Sequence, residues 1–140
     1  MNIGYHNRRP VQHCSYRYFS TVVDLAAASE VLIVAVAGGP ESLHLIDRAA
    51  LEALGPGGYL VNVARGSCID ADALINALRA GVIAGAGLDV FANEPHVPNE
   101  LMQMMNVVLV PQIGSATGDA RRAMVDLVVG NILSQFHAEL

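Results

Sequence analysis

The feature that most constrains the fold is a strand–loop–helix–strand unit at residues 58–89. An apolar strand at 59–64 runs into Arg65, and a second apolar strand at 84–90 carries Asp89 near its far end. Apolar strands joined through a helix are typical of parallel sheets. Because ligands of such sheets bind at the carboxyl ends of the strands, both polar residues lie at a predicted binding edge.

Strands and helices alternate along the rest of the chain. Helix starts are indicated by Thr21, Asp47 and Asp70, each of which precedes an apolar-periodic stretch. The predicted strands are 1–6, 16–19, 31–37, 59–64, 84–90 and 107–110, and the predicted helices are 21–29, 47–54, 70–81, 100–105 and an amphipathic one from 115 to about 137. The pattern predicts an α/β fold with a parallel sheet and helices on both faces.

Composition narrows the functional classes. The 140 residues are enough for one domain, and the net charge of −5, with no basic face, excludes nucleic acid as a predicted partner. All eight basic residues are arginine, which excludes lysine Schiff-base chemistry. No apolar run approaches the roughly 20 residues that span a bilayer, and no signal peptide is recognisable. Two isolated cysteines and no metal-ligand spacing favour a cytoplasmic, metal-free protein.

Three polar residues near the predicted edge are candidate site residues. Arg65 and Gly66 follow a strand so apolar that folding alone does not require an Arg-Gly pair there, whereas a bound carboxylate or phosphate does. A surface arginine on a loop is an equal alternative. Asp89 suits a hydrogen bond to a cofactor amide or ribose, or else a cap. Glu94 suits the orientation of a catalytic base, or else a solvated loop acid.

The end of the first predicted strand bears on the cofactor. In dinucleotide folds an acid at this position holds the ribose 2′-hydroxyl, whereas arginine accommodates a 2′-phosphate. Here the sequence has Asn7, Arg8 and Arg9 and no acid, so NADP is favoured over NAD if a dinucleotide binds; two surface arginines are the alternative. The Gly38–Pro40 turn would let a ligand approach the backbone, and His96 is a weak further candidate.

Six ordered motifs together resemble one family over essentially the whole chain. They are YHNRRP at 5–10, GGPES at 38–42, HLID at 44–47, LVNVARGSCID at 60–70, AGAGLDVFANEP at 84–95 and NVVLVPQIGSAT at 106–117. The sequence resembles the NAD(P)-binding domain of D-isomer-specific 2-hydroxyacid dehydrogenases, with glyoxylate/hydroxypyruvate reductases nearest. A Rossmann-like domain is implied.

The resemblance implies a two-domain enzyme that reduces a small 2-oxo acid with NAD(P)H in the cleft between its domains. It implies that Arg65 holds the substrate and that Glu94 pairs with the general-acid histidine. Asn7, Arg8 and Arg9 would surround the 2′-phosphate. The remaining cofactor-lining positions implied by the family are Ala37, Gly38, Pro40, Ala64, Asp89 and Gly114.

Three departures from the family pattern shape the expectations. Gln112 stands where the family has histidine, and glutamine cannot donate a proton at neutral pH. The substrate domain is absent, so residues 1–140 are interpreted as a partial dinucleotide-binding domain. The phosphate-cradling GxGxxG loop is also absent, and with it the first, central βα unit. The chain is therefore interpreted as a truncated family member, impaired as an enzyme.

The absent central strand poses a folding question. We consider three outcomes. The second and fourth strands of the family sheet, here the predicted strands 1–6 and 31–37, pair directly; or another chain fills the gap; or the N-terminal piece stays loose. A homodimer or an intact paralogue is the partner that this gap suggests. The alternative function is accordingly a non-catalytic remnant that acts as a nucleotide-binding or interaction module.

Overall fold

The computed structural model describes residues 1–137, in which eleven helices and strands follow one another. They are β1 (Gly4–His6), β2 (Arg17–Phe19), α1 (Val22–Ala27), β3 (Val31–Val34), α2 (Arg48–Leu54), β4 (Tyr59–Asn62), α3 (Ala71–Arg79), β5 (Gly85–Leu88), α4 (Asn99–Met102), β6 (Val107–Leu109) and α5 (Gly118–His137). Short 3-10 turns lie at Pro40–Ser42 and Gly66–Cys68.

Three helices begin at the caps that the sequence indicates. The side chains of Thr21, Asp47 and Asp70 accept hydrogen bonds from backbone amides in the first turns of α1, α2 and α3. The Thr21 hydroxyl also donates to the Asp24 carboxylate at 2.7 Å, so this one hydroxyl both accepts from and donates to Asp24. Each cap satisfies an amide that has no partner within its helix.

The strands form two parallel sheets. β1 pairs with β2, and the larger sheet has the order β3-β4-β5-β6, all parallel. β1 and β3 do not pair with each other, so direct pairing of these two strands, one of the three outcomes considered above, does not occur. The predicted class, a parallel α/β fold of Rossmann-like type, is confirmed.

The core lies on one face of the larger sheet. Alternate strand residues such as Leu32, Leu60 and Leu88 are buried there, together with residues of α1, α2 and α3. The register Ile33↔Val61↔Gly87↔Val108 places the other alternate residues on the opposite face, where Ile33 and Val108 are exposed. The strand period of two therefore separates a packed face from an open one.

The chain divides into two compact units, Met1–Val110 and the segment from Pro111 onward. The second unit contains α5, whose 20 residues confirm the predicted long helix. The predicted amphipathic stripe is wrong, because the apolar residues of α5 are not confined to one side. The large ones are exposed, among them Met124, Leu127, Ile132 and Phe136. A helix that is apolar on several sides is typical of a buried position in a larger assembly.

Candidate functional site at the carboxyl edge of the sheet

The loop after β4 is held by a buried asparagine. Asn62 is fully buried; its side-chain amide donates to the Arg65 carbonyl at 3.0 Å, and its carbonyl oxygen accepts from the Ala64 amide at 3.0 Å. These bonds explain why β4 ends at Asn62, two residues before the predicted strand end. The loop that carries Arg65 is thus anchored inside the protein, which fixes the position of that residue.

Arg65 itself lies at the surface of this edge. One guanidinium nitrogen donates to the Ala64 carbonyl at 2.7 Å. Its aliphatic stem lies against Gly38, since a Cβ at that glycine would stand 2.7 Å from the Arg65 Cγ. The exposed 37–40 turn after β3 and the loop after β4 therefore meet, as the sequence predicts for two strand ends, and they present a guanidinium to solvent.

The loop after β5 closes against the loop after β4. A Cβ at Gly66 would collide with the backbone of Phe91 and Ala92, so the two loops touch backbone to backbone. Within the loop after β5, the exposed Glu94 accepts a hydrogen bond from the Phe91 amide at 2.9 Å through Oε1. Only glycine permits this approach, and it brings the Glu94 loop to the edge that carries Arg65.

Asp89 comes immediately after β5 and is 9% exposed. Its backbone amide donates to the Asn62 carbonyl at 3.0 Å, which ties the end of β5 to the end of β4. The structure thus places Asp89 at the carboxyl edge, beside the Asn62 that anchors the Arg65 loop.

The residues after β1 form a separate basic corner. Arg8 makes an ion pair with Glu41 at 2.6 Å, and both side chains are largely exposed. Asn7 accepts the Arg8 amide through its side chain at 2.9 Å, and Arg9 is exposed. An exposed ion pair contributes about 0–1 kcal/mol, so a phosphate could replace the Glu41 carboxylate at small cost. This donor set fits the anionic groups of a dinucleotide.

Gln112 and Gly114 belong to the second unit, which begins at Pro111. Gln112 has φ 52°, in the left-handed region that non-glycine residues seldom occupy. Strained conformations of this kind cluster at functional sites. His13 and His44 share this conformation, with φ 61° and 50°, so it does not by itself mark Gln112 as a functional residue.

A cavity of about 430 Å³ lies next to the Gly66–Phe91 contact. It is lined mainly by apolar side chains, with the exposed His96 at its margin. Within residues 1–137, no group of three or more His, Cys, Asp or Glu side chains is arranged to hold a metal ion. None of the helices in that range has the length and apolarity needed to cross a membrane.

Sequence reasoning missed two contributors to this edge. Asn62 had a signal, because one amide inside an apolar strand has to find partners when buried. Glu41 had none, because its pairing with Arg8 joins residues 33 positions apart and depends on how the β1 and β3 ends meet.

The fold and this edge define an NAD(P)-binding α/β domain. Residues 1–114 match the family described as D-isomer specific 2-hydroxyacid dehydrogenase, NAD binding domain. The chain belongs to this family, as the motifs predict.

Relatives of this chain are longer than it is. Glyoxylate/hydroxypyruvate reductase A of Arabidopsis thaliana is 47% identical over 134 residues, which cover 96% of this chain and 43% of that protein. Hydroxyphenylpyruvate reductase of Plectranthus scutellarioides is 46% identical with the same two coverages. The chain thus spans under half the length of these curated relatives.

A solved structure of the same family has a closely similar fold. The NADPH-dependent glyoxylate/hydroxypyruvate reductase of Sinorhizobium meliloti, crystallised with NADP and malonate, superposes with a TM-score of 0.89 at 47% identity. The superposition covers 96% of this chain and 42% of that one.

Proposed function

We propose that residues 1–140 are a partial dinucleotide-binding domain that prefers NADPH and that, joined to a substrate domain, serves the reduction of a small 2-oxo acid in the cytoplasm. The observation that carries this proposal is Arg65, an exposed guanidinium anchored through Asn62 at the carboxyl edge of the sheet. A nicotinamide dinucleotide supplies the reducing equivalents in this chemistry.

The roles proposed for this chain's residues follow from their chemistry. Arg65 binds the substrate carboxylate and carbonyl through its planar donors, which fixes the orientation of the substrate. Arg8 and Arg9, with Asn7, bind the 2′-phosphate. The backbone of Ala37, Gly38 and Pro40, together with Ala64, Asp89 and Gly114, lines the rest of the cofactor site.

Proton transfer is the step that this chain performs least well. In the proposed arrangement Glu94 would orient and charge-stabilise a histidine, but Gln112 occupies that position and holds no acidic proton. Loss of a positioned general acid typically lowers the rate by roughly 10²–10⁴-fold. Gln112 therefore favours a second candidate function, a non-catalytic module that binds nucleotide or a paralogue.

Cofactor preference is tested by calorimetric titration of the chain with NADPH and then NADH. We expect tighter binding of NADPH, and Arg8→Gln to weaken it by roughly 10–100-fold, since a charge-assisted bond to phosphate contributes about 1.5–3 kcal/mol. Arg48→Gln is the matched control, because Arg48 makes a similar exposed ion pair with Glu52 at 2.6 Å on α2. Equal binding of the two cofactors would contradict the role of the basic corner.

Catalysis is tested in a fusion of this chain to the part of the S. meliloti reductase that lies outside the matched region. Gln112→His should raise NADPH-dependent reduction of glyoxylate or hydroxypyruvate by roughly 10²–10⁴-fold. Adding Arg65→Gln should abolish the gain. A folded fusion that binds NADPH but shows no turnover with histidine at 112 would contradict the enzymatic proposal and leave the binding module.

A further inference from the structure

Glu41 is carried by a short, rigid turn. It lies in the 3-10 turn Pro40–Ser42 that follows β3, and the ring of Pro40 fixes the backbone φ at the first position of that turn. The backbone amide and the hydroxyl of Ser42, which is 7% exposed, both donate to the Gly39 carbonyl at 3.1 Å. The backbone at Glu41 is therefore fixed, while its side chain is 73% exposed.

The backbone at Arg8 is tied to β2. The Arg8 amide donates to the Asn7 side chain at 2.9 Å, and the Tyr18 hydroxyl donates to the Asn7 carbonyl at 3.1 Å. One terminal guanidinium nitrogen of Arg8 donates to Oε2 of Glu41 at 2.6 Å. Arginine has five N–H donors, and this side chain is 81% exposed, so most of its donors face solvent beside the Glu41 carboxylate.

This ion pair brings together the two groups with which dinucleotide folds distinguish their cofactors. A carboxylate binds the ribose 2′-hydroxyl of NAD, whereas an arginine accommodates the 2′-phosphate of NADP. In this chain the arginine follows β1 and the carboxylate follows β3, 33 positions further along. Because the two groups touch, any ligand group that Arg8 binds also lies within reach of Glu41.

The two cofactors differ in what they do to the ion pair. A 2′-phosphate carries a charge of about −1.5 to −2 at pH 7 and three acceptor oxygens, so it displaces the singly charged carboxylate from Arg8. The displaced carboxylate stays near the phosphate, because its turn is fixed, and repels it. A 2′-hydroxyl instead leaves the pair intact and donates to the Glu41 carboxylate.

We propose that Glu41 is a specificity-determining residue, which limits the preference of this site for NADPH and lets it bind NADH as well. It competes with the 2′-phosphate for Arg8, and it accepts a hydrogen bond from the 2′-hydroxyl of NADH. This role rests on the proposed function, because it requires that the basic corner binds the adenosine ribose of the cofactor.

The experiment is a calorimetric titration of the intact 140-residue chain and of its Glu41→Gln variant with NADPH and with NADH, at one ionic strength. The substitution keeps the size of the side chain and removes its charge. We expect NADPH to bind roughly three- to tenfold more tightly to the variant, since the competing carboxylate of an exposed ion pair is gone, and NADH to bind roughly threefold more weakly. The ratio of the two dissociation constants should then shift by about tenfold or more in favour of NADPH.

Two further variants show whether the effect depends on Arg8. In an Arg8→Gln background, Glu41→Gln should lose more than half of its gain for NADPH, because no guanidinium remains to be released. Glu52→Gln is the matched control, since Glu52 pairs with Arg48 at the same 2.6 Å on α2, and it should leave the ratio within about twofold of wild type. Circular dichroism confirms that each variant is folded.

The outcomes separate this proposal from the proposed function. If the wild-type chain binds neither cofactor, or if Arg8→Gln leaves NADPH binding unchanged, the proposed function fails and the role of Glu41 fails with it. If NADPH binds through Arg8 but Glu41→Gln leaves the ratio within about twofold of wild type, the proposed function stands and Glu41 is an ordinary surface ion-pair partner. A gain for NADPH that persists undiminished in the Arg8→Gln background would also overturn competition for Arg8.

Discussion

At the scale of single residues, the candidate site depends on contacts that have no chemistry of their own. Gly66 allows two loops to touch, and Asn62 anchors the turn that positions Arg65. Neither residue would bind a ligand, yet both determine where the guanidinium lies. Replacing either residue should therefore disturb the geometry of the site, although no ligand-binding group is lost.

Gly66→Ala should destabilise the protein by about 1–3 kcal/mol, because its methyl group would overlap the backbone of Phe91 and Ala92, which cannot rotate away. Urea unfolding followed by circular dichroism measures the change. Gly87→Ala is the control, since its Cβ would make only an ordinary contact with the Val61 Cγ2 at 3.9 Å, and it should alter stability by under about 1 kcal/mol. Equal losses would show that the loop contact is not tight.

Asn62→Ala should cost about 2–4 kcal/mol, because it leaves the Ala64 amide and the Arg65 carbonyl without their buried partner. The same unfolding assay applies. Asn106→Ala removes an exposed amide whose bonds are long, 3.4 and 3.5 Å, and should cost well under half as much. A smaller effect at Asn62 than at Asn106 would contradict its role as an anchor.

At the scale of helices and strands, the capping residues are the local features that indicate most directly where a helix begins. Asp70→Ala should lower the free energy of unfolding by about 1 kcal/mol, since its carboxylate accepts from the Ala73 amide at 3.0 Å at the start of α3. Asp72→Ala, in the same turn but without a capping bond, should have a smaller effect. Thermal denaturation of the two variants compares them directly.

The order and type of the elements could be predicted because caps, glycine turns and apolar runs are local properties. Strand ends could not be placed as well. The prediction extended β4 to residue 64, whereas Asn62 turns its side chain back into the loop and ends the strand. That hydrogen bonding depends on the folded loop, which periodicity does not describe.

At the scale of the whole molecule, the family and the cofactor class followed from six ordered motifs, but the arrangement of the edge did not. The pairing of Arg8 with Glu41 and the packing of Arg65 on Gly38 depend on which strand ends meet. The left-handed backbone at Gln112 was equally invisible, since glutamine carries no signal for it.

The parallel order β3-β4-β5-β6 also affects how the chain reaches its native state. Each strand pairs with one that lies many residues away, and no tight hairpin nucleates the sheet. Loop closure must then precede most stabilising contacts, so folding is slow compared with that of a helical bundle of this size. While it folds, the chain exposes Val- and Ile-rich strands, and its yield in a cell should depend on temperature, expression rate and chaperone supply.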